Sequence, residues 1–202
     1  MALKPDTRTQ LIEATISSIS AGGESSVRVG LVAAEVGVRE PSVYHFFKNR
    51  EALIEAAQIE RYRRSYEEII VPFETAAQLS DTREEFERAV QKILKMSYLP
   101  DRIGIRSIRL GVMGAAQTSP AIADAINQVN RNAAILLARV IEASQERGWT
   151  STAFDAMAIA YWIMGQVNGR VMAEMDSSAV DLAEWDRVSI AAVLAIFRHQ
   201  PE

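Results

Sequence analysis

Arg39, Ser42 and His45 recur at intervals of three residues, so on a helix they lie along one side. A guanidinium, a hydroxyl and an imidazole on one outward face can meet the donors and acceptors that base edges show in a major groove. Glu40 adds a carboxylate beside them, which either accepts a hydrogen bond from a cytosine amino group or caps the helix. A second group is Arg102, Arg106 and Arg109, which fall at i, i+4 and i+7, within an arc of about 60°. Met113 extends the same stripe, with Ile105, Ile108 and Val112 on one flank and Ile103 and Leu110 on the other. Such a stripe either is a solvated or bridging face paired with acids such as Asp101, or anchors an anionic effector carrying a carboxylate or phosphate. Residues for bond-making chemistry are missing. There is no cysteine, and His45 and His199 are far apart with no ligand-like spacing around either. No phosphate-cradling glycine loop, nucleophile elbow or His-Glu-x-x-His pattern occurs. The expectation is a chain with no catalytic residues, no metal site and no cofactor, and not an enzyme.

The elements that must position these residues are helices. Apolar residues recur at helical spacing, and Gly and Pro fall between long segments, which predicts an all-α fold of about nine helices. The first runs from about residue 6 to 21, with Ile12, Thr15, Ile16 and Ile19 on one stripe and Gly22-Gly23 as its stop. Short helices follow at about 27–36 and 40–47, and a longer one from about 49 to 71 is expected to end before Pro72. Thr82-x-x-Glu85 reads as a capping box opening a helix to about Leu99. Another covers about 101–115. Ser119-Pro120 sets an N-cap and N1 proline for a helix reaching Gly148, and the last two occupy about 152–175 and 180–199. The second and third helices meet at a tight turn containing Gly37, which is helix-turn-helix spacing. Val29, Val32 and Val36 supply one apolar face, Val38 plugs the turn, and Val43 with Phe47 packs the third helix back.

Hydrophobic residues at 49% and charged residues at 24% are those of an ordinary globular chain. The net charge of −4 is unevenly spread, because residues 1–64 hold nine Lys/Arg against eight Asp/Glu, whereas residues 65–202 hold thirteen against eighteen. The N-terminal part is thus the better candidate for a phosphate-facing surface. The most apolar run, about Ala153 to Val167, is too short to cross a bilayer and contains Asp155, so no membrane partner is expected. The first eight residues have no apolar stretch, and a cytoplasmic protein is expected.

The stretch Gly37-Val38-Arg39-Glu40-Pro41-Ser42-Val43-Tyr44-His45-Phe46-Phe47-Lys48-Asn49-Arg50-Glu51-Ala52-Leu53 resembles the signature of the TetR family of bacterial regulators. The close match spans about residues 7–55. The resemblance implies a helix-turn-helix domain at 1–50, an effector-binding and dimerisation domain at 51–202, and a homodimer on palindromic double-stranded DNA, repressing until a small-molecule effector releases it. It places Tyr44 and Arg50 on phosphates, and Arg28, Pro41 and Lys48 complete the DNA-facing set with Arg39, Glu40, Ser42 and His45. The sequence departs from the family pattern at Gly30, which costs about 1 kcal/mol inside a helix, and at Val27 and Arg39. In the second domain Arg102, Arg106, Arg109 and Met113, with Tyr161, Trp162, Met164 and Gln166, are candidates to contact the effector. Ala158, Gly165, Gly169 and Met172, with Trp185, Ser189, Ala192 and Ile196 of the last helix, are candidates for a four-helix dimer interface. The alternative reading is a helical interaction module that has lost DNA binding.

Overall fold

The computed structural model describes residues 6–199, apart from the side chains of residues 68–71. Among the described residues there are nine α-helices, two short 3₁₀ turns and no strand. The helices are α1 (Thr7–Gly22), α2 (Val29–Val36), α3 (Glu40–Val43), α4 (Arg50–Gln78), α5 (Arg83–Ser97), α6 (Ile103–Ala115), α7 (Pro120–Glu146), α8 (Ala156–Met175) and α9 (Leu182–Arg198). The 3₁₀ turns are Glu24–Ser26 and Pro100–Arg102. Among the described residues no helix is long and apolar enough to cross a membrane.

The chain divides into two compact units, Met1–Arg63 and Arg64–Glu202. The division falls inside α4, later than the 50/51 boundary expected from the sequence. The reason is packing, since Leu53, Ile54 and Ala57 on the first turns of α4 are buried in the core of the first unit. That core is otherwise Leu11, Ile12 and Ile19 of α1, Val27, Val29 and Val32 around α2, and Val43 and Phe47. Each such side chain contributes about 1.5–3 kcal/mol on full burial, enough in sum to order helices as short as α2 and α3. Asp6 caps α1 by accepting from the Thr9 amide at 2.7 Å, and Asn49 caps α4 by accepting from the Ala52 amide at 2.8 Å.

Three boundaries differ from the sequence reading, the first being α3, which is regular helix only over Glu40–Val43 where about 40–47 is expected. Helix α4 does not stop at Pro72 but carries it inside and runs on to Gln78. Pro72 is exposed, while Phe73 and Ala77 beyond it are buried, so tertiary packing outweighs the lost backbone hydrogen bond. Helix α8 starts at Ala156 and not at about 152 because Asp155 supplies the cap, accepting from the Ala158 amide at 2.8 Å. Elsewhere the predicted punctuation is present: Thr82 accepts from the Glu85 amide at 3.2 Å, Ser119 accepts from the Ile122 amide at 3.3 Å, and Gly148 sits at φ 71° after α7.

In the second unit α8 packs against α6, α7 and α9, and α5 packs against α9. Ile159, Ala160, Ile163, Val167 and Val171 make the buried face of α8. Phe86 of α5 stacks on Phe197 of α9 at 5.9 Å between ring centroids and meets Trp149 at 6.0 Å.

Candidate DNA-binding surface and effector cavity

The turn between α2 and α3 is built on one left-handed residue. Gly37 has φ 79° and ψ 26°, and its amide and that of Val38 close the end of α2 on the Ala34 and Ala33 carbonyls at 3.1 and 2.9 Å. The chain then re-enters helix at Glu40, with Arg39 extended before it and Pro41 in the first turn, where a proline loses no intrahelical bond. Only Glu40–Val43 is regular helix. Tighter turns carry the segment on to Phe47, whose amide donates to the Val43 carbonyl at 3.0 Å. Val43 and Phe47 face inward, and the Arg8 guanidinium covers the Phe47 ring at 5.2 Å. Arg39, Glu40, Pro41, Tyr44, His45 and Lys48 are left exposed, with Ser42 half-buried.

Four of the candidate residues, Arg28, Glu40, Tyr44 and Arg50, have internal partners that the sequence does not reveal. Arg50 donates from Nε to the Val27 carbonyl at 3.0 Å and from Nη2 to the Glu24 carbonyl at 2.6 Å, tying the start of α4 to the loop before α2. Arg28 folds back, donating to the Ser25 carbonyl at 2.6 Å. The Tyr44 hydroxyl donates to Glu40 Oε1 at 3.4 Å. The other oxygen of Glu40 lies over Gly30, where a Cβ would come within 2.9 Å of it. That oxygen is the far end of a flexible, exposed side chain that can move aside, so nothing in the structure requires the glycine.

Of the arginine stripe, Arg102 lies in the turn before α6 and is half-buried, whereas Arg106 and Arg109 on α6 are buried and hold different partners. Arg106 is 1% exposed and donates to Glu174 and to the Ser97 and Leu99 carbonyls. Glu174 also accepts from Arg170, which reaches Asp186 through Nε at 2.6 Å and Nη2 at 3.1 Å. Burial works against the Arg170 charge, but Asp186 and Glu174 more than offset it, and its pKa is raised. Glu174 Oε2 and Arg106 Nε are buried without a hydrogen-bond partner. Beside the cluster, Tyr98 is bonded to Ser189 at 2.6 Å and meets Trp185 edge-on at 5.5 Å. Its phenol pKa is raised by burial, with the Ser189 bond opposing the shift. Arg109 is separate, donating from Nε to Ser65 Oγ at 2.9 Å and from Nη2 to the Ser65 carbonyl, with its guanidinium 3.9 Å from the Tyr66 ring centroid.

A cavity of about 70 Å³ lies within the second unit, walled by residues such as Tyr66, Phe73, Leu137, Ile163, Val167 and Phe197. Of the candidate effector contacts only Arg109 and Met164 line it. Arg102, Arg106, Met113, Tyr161, Trp162 and Gln166 do not, and Tyr161 is exposed.

On α8 the candidate interface residues Ala158, Gly165 and Met172 are exposed and Gly169 is half-buried. Tyr161 and Met175 share the exposed surface, Met172 at 79% and Met175 at 80%. On α9 the sequence stripe points the other way. Ser189 is buried under Tyr98, and Trp185, Ala192 and Ile196 are only half-exposed. The outward face of α9 is instead Val188, Ala191 and Ala195. The stripe containing Trp185 and Ser189 is turned inward by the Tyr98 contacts.

Residues 11–57 match the sequence model of bacterial regulatory proteins of the tetR family. No protein with a curated description matches the chain. Solved structures are similar over nearly the full length. A protein assigned to the TetR-family transcriptional regulators from Rhodococcus sp. superposes with a TM-score of 0.67 at 18% identity, covering 95% of this chain and 98% of its own. The transcriptional regulator FadR of Bacillus subtilis, solved with stearoyl-CoA, gives 0.62 at 17% identity, covering 93% and 98%. A protein assigned as a transcriptional regulator from Saccharomonospora viridis, solved with choline, gives 0.66 at 15% identity, covering 93% and 95%. The first unit thus carries, over residues 11–57, the DNA-binding segment described by the tetR family model, and the chain as a whole has the all-helical fold of the solved transcriptional regulators it resembles.

Proposed function

We propose that the protein is a homodimeric repressor that grips a palindromic operator through the α2–α3 pair and is released by a small molecule entering the cavity of the second unit. The observation that carries the DNA-binding part is the division of labour on α3 and the turns after it. Val43 and Phe47 do the packing, and every polar or basic candidate from Arg39 to Lys48 stays at least partly accessible. Arg39, Ser42 and His45 read bases, while Tyr44 and Lys48 hold the backbone. Arg50 and Arg28 support this surface by fixing the loop before α2. Dimerisation is supported by the apolar outward surface of α8 and α9, with Met172, Met175 and Val188 all more than two-thirds exposed. A palindromic operator calls for two recognition segments, at half-sites about 34–36 Å apart, which a dimer supplies. Effector release is supported by the cavity and by the ligands bound to relatives of this fold, stearoyl-CoA in one and choline in another. A ligand that prefers a wrongly spaced dimer must weaken DNA binding, and DNA must weaken the ligand by the same factor.

The test is a gel shift on DNA from upstream of the protein's own gene across a salt series. The expected result is a dimer-sized complex whose affinity falls steeply with salt. Substituting Ser42 or His45 should change which operator is preferred, by about 1–3 kcal/mol per lost base contact. Tyr44→Phe should weaken all sequences alike. A chain that shifts no DNA at low salt would instead be the interaction module.

A further inference from the structure

We propose that the effector is a neutral, compact hydrophobic molecule and not an anion. The inference rests on the reading of the cavity as the effector site and names the class of ligand for it. Apart from Tyr66, Ser97 and Arg109, the cavity wall is hydrocarbon and the Met164 thioether. Each of those three polar side chains is engaged with the surrounding protein. Ser97 Oγ donates to the Ile93 carbonyl at 2.9 Å, and the Tyr66 hydroxyl accepts from Asn168 Nδ2 at 3.4 Å. Arg109 directs Nε and Nη2 to Ser65, and its guanidinium lies against the Tyr66 ring. A carboxylate entering here would lose its hydration, and it could pair bidentately along the Nε–Nη2 edge of Arg109 only by breaking the Ser65 bonds, which leaves buried polar atoms unsatisfied. A hydrocarbon or aromatic ring gives up no hydrogen bonds on entry and gains dispersion contacts with the wall. The other arginines of α6 do not alter this, because Arg106 is committed to Glu174 and backbone carbonyls, outside the cavity wall. The cavity volume, about 70 Å³, is roughly half that of an engineered apolar cavity of about 150 Å³ that stays dry and binds benzene. A ring must therefore push the wall outward, and the unbranched Met164 side chain is the element that yields most easily. That expansion is the structural change through which a neutral ligand acts.

The experiment is calorimetry of the full chain, without DNA, against toluene and against benzoate, two probes that share a ring and differ in the charge. Toluene should bind at least tenfold more tightly than benzoate, with a negative heat-capacity change. Leu137→Ala, which enlarges the cavity, should tighten toluene binding. Val167→Phe, which fills it, should abolish binding; if that variant does not fold, the Leu137→Ala result decides. Benzoate binding as tightly as toluene, or toluene binding to neither the wild type nor Leu137→Ala, would overturn the inference. A gel shift with saturating toluene separates this from the proposed function. Toluene that binds without loosening the protein from DNA supports the ligand class and refutes effector-driven release.

Discussion

Glu174→Met removes the carboxylate shared by two buried guanidiniums, and its cost can be worked from their surroundings. Arg170 keeps Asp186 through two hydrogen bonds, so the loss falls mainly on Arg106. Arg106 is left 1% exposed with only the Ser97 and Leu99 carbonyls to accept from it. Breaking a buried pair from one side costs about 3–5 kcal/mol, because the remaining charge has neither a counter-charge nor water. At about 2–4 °C per kcal/mol for a chain of this size, Tm should fall by roughly 6–20 °C. The assay is urea denaturation, which leaves ionic strength unchanged, run as a double-mutant cycle with Arg106→Met. The doubly substituted protein no longer buries the stranded charge, so the two substitutions should be less than additive, with a coupling of about 1–3 kcal/mol. A loss below about 1 kcal/mol for Glu174→Met, or strict additivity, would refute the claim that this cluster is tightly desolvated and mutually dependent.

Arg50→Ala should destabilise the first unit by about 1–2 kcal/mol, since its two hydrogen bonds to the Val27 and Glu24 carbonyls are charge-assisted but partly open to water. DNA affinity should fall with the salt slope unchanged, whereas a slope reduced by about one unit would show that Arg50 is a phosphate contact. Gly37→Ala should cost about 1–2 kcal/mol and weaken DNA binding with it, because its φ of 79° lies where a Cβ is strained; an unchanged urea midpoint would show that the turn relaxes. Hydrogen bonding by Arg198 holds the Glu87 carboxyl below its ordinary value of 4.5, with burial opposing and Arg83 assisting. A depressed folded pKa means the stabilisation is present above pH 4.5 and is lost as pH falls through the folded value. The stability gap between wild type and Glu87→Gln should therefore be full at pH 7 and vanish in strong acid, and a gap independent of pH would remove the ion pair from the account.

Helix count, most boundaries and the outward placement of Arg39, Glu40, Tyr44 and His45 were legible in the residues because each depends on local rules. Gly37 at the turn, Pro41 in the first turn of α3, and Val43 with Phe47 one helical turn apart leave few ways to fold residues 27–47. The same local rules failed at Pro72, where the burial of Phe73 and Ala77 carries the helix through a residue that would otherwise end it.

By itself the sequence determined an all-helical chain with a helix-turn-helix at its start, since periodicity, caps and turn glycines act within a few residues of one another. Tertiary structure alone decided what the long-range charges and faces do. Arg106 and Arg109 lie three residues apart on α6, close to the same side, yet one joins Glu174 from 68 positions away and the other Ser65 from 44. Which side of α9 is turned inward was set by Tyr98, from 91 positions away, bonding Ser189. The physical reason is that helical periodicity shows which residues share a face but not what that face meets. Burial, and with it the strength and partner of every charge, is fixed only when helices distant in sequence pack together.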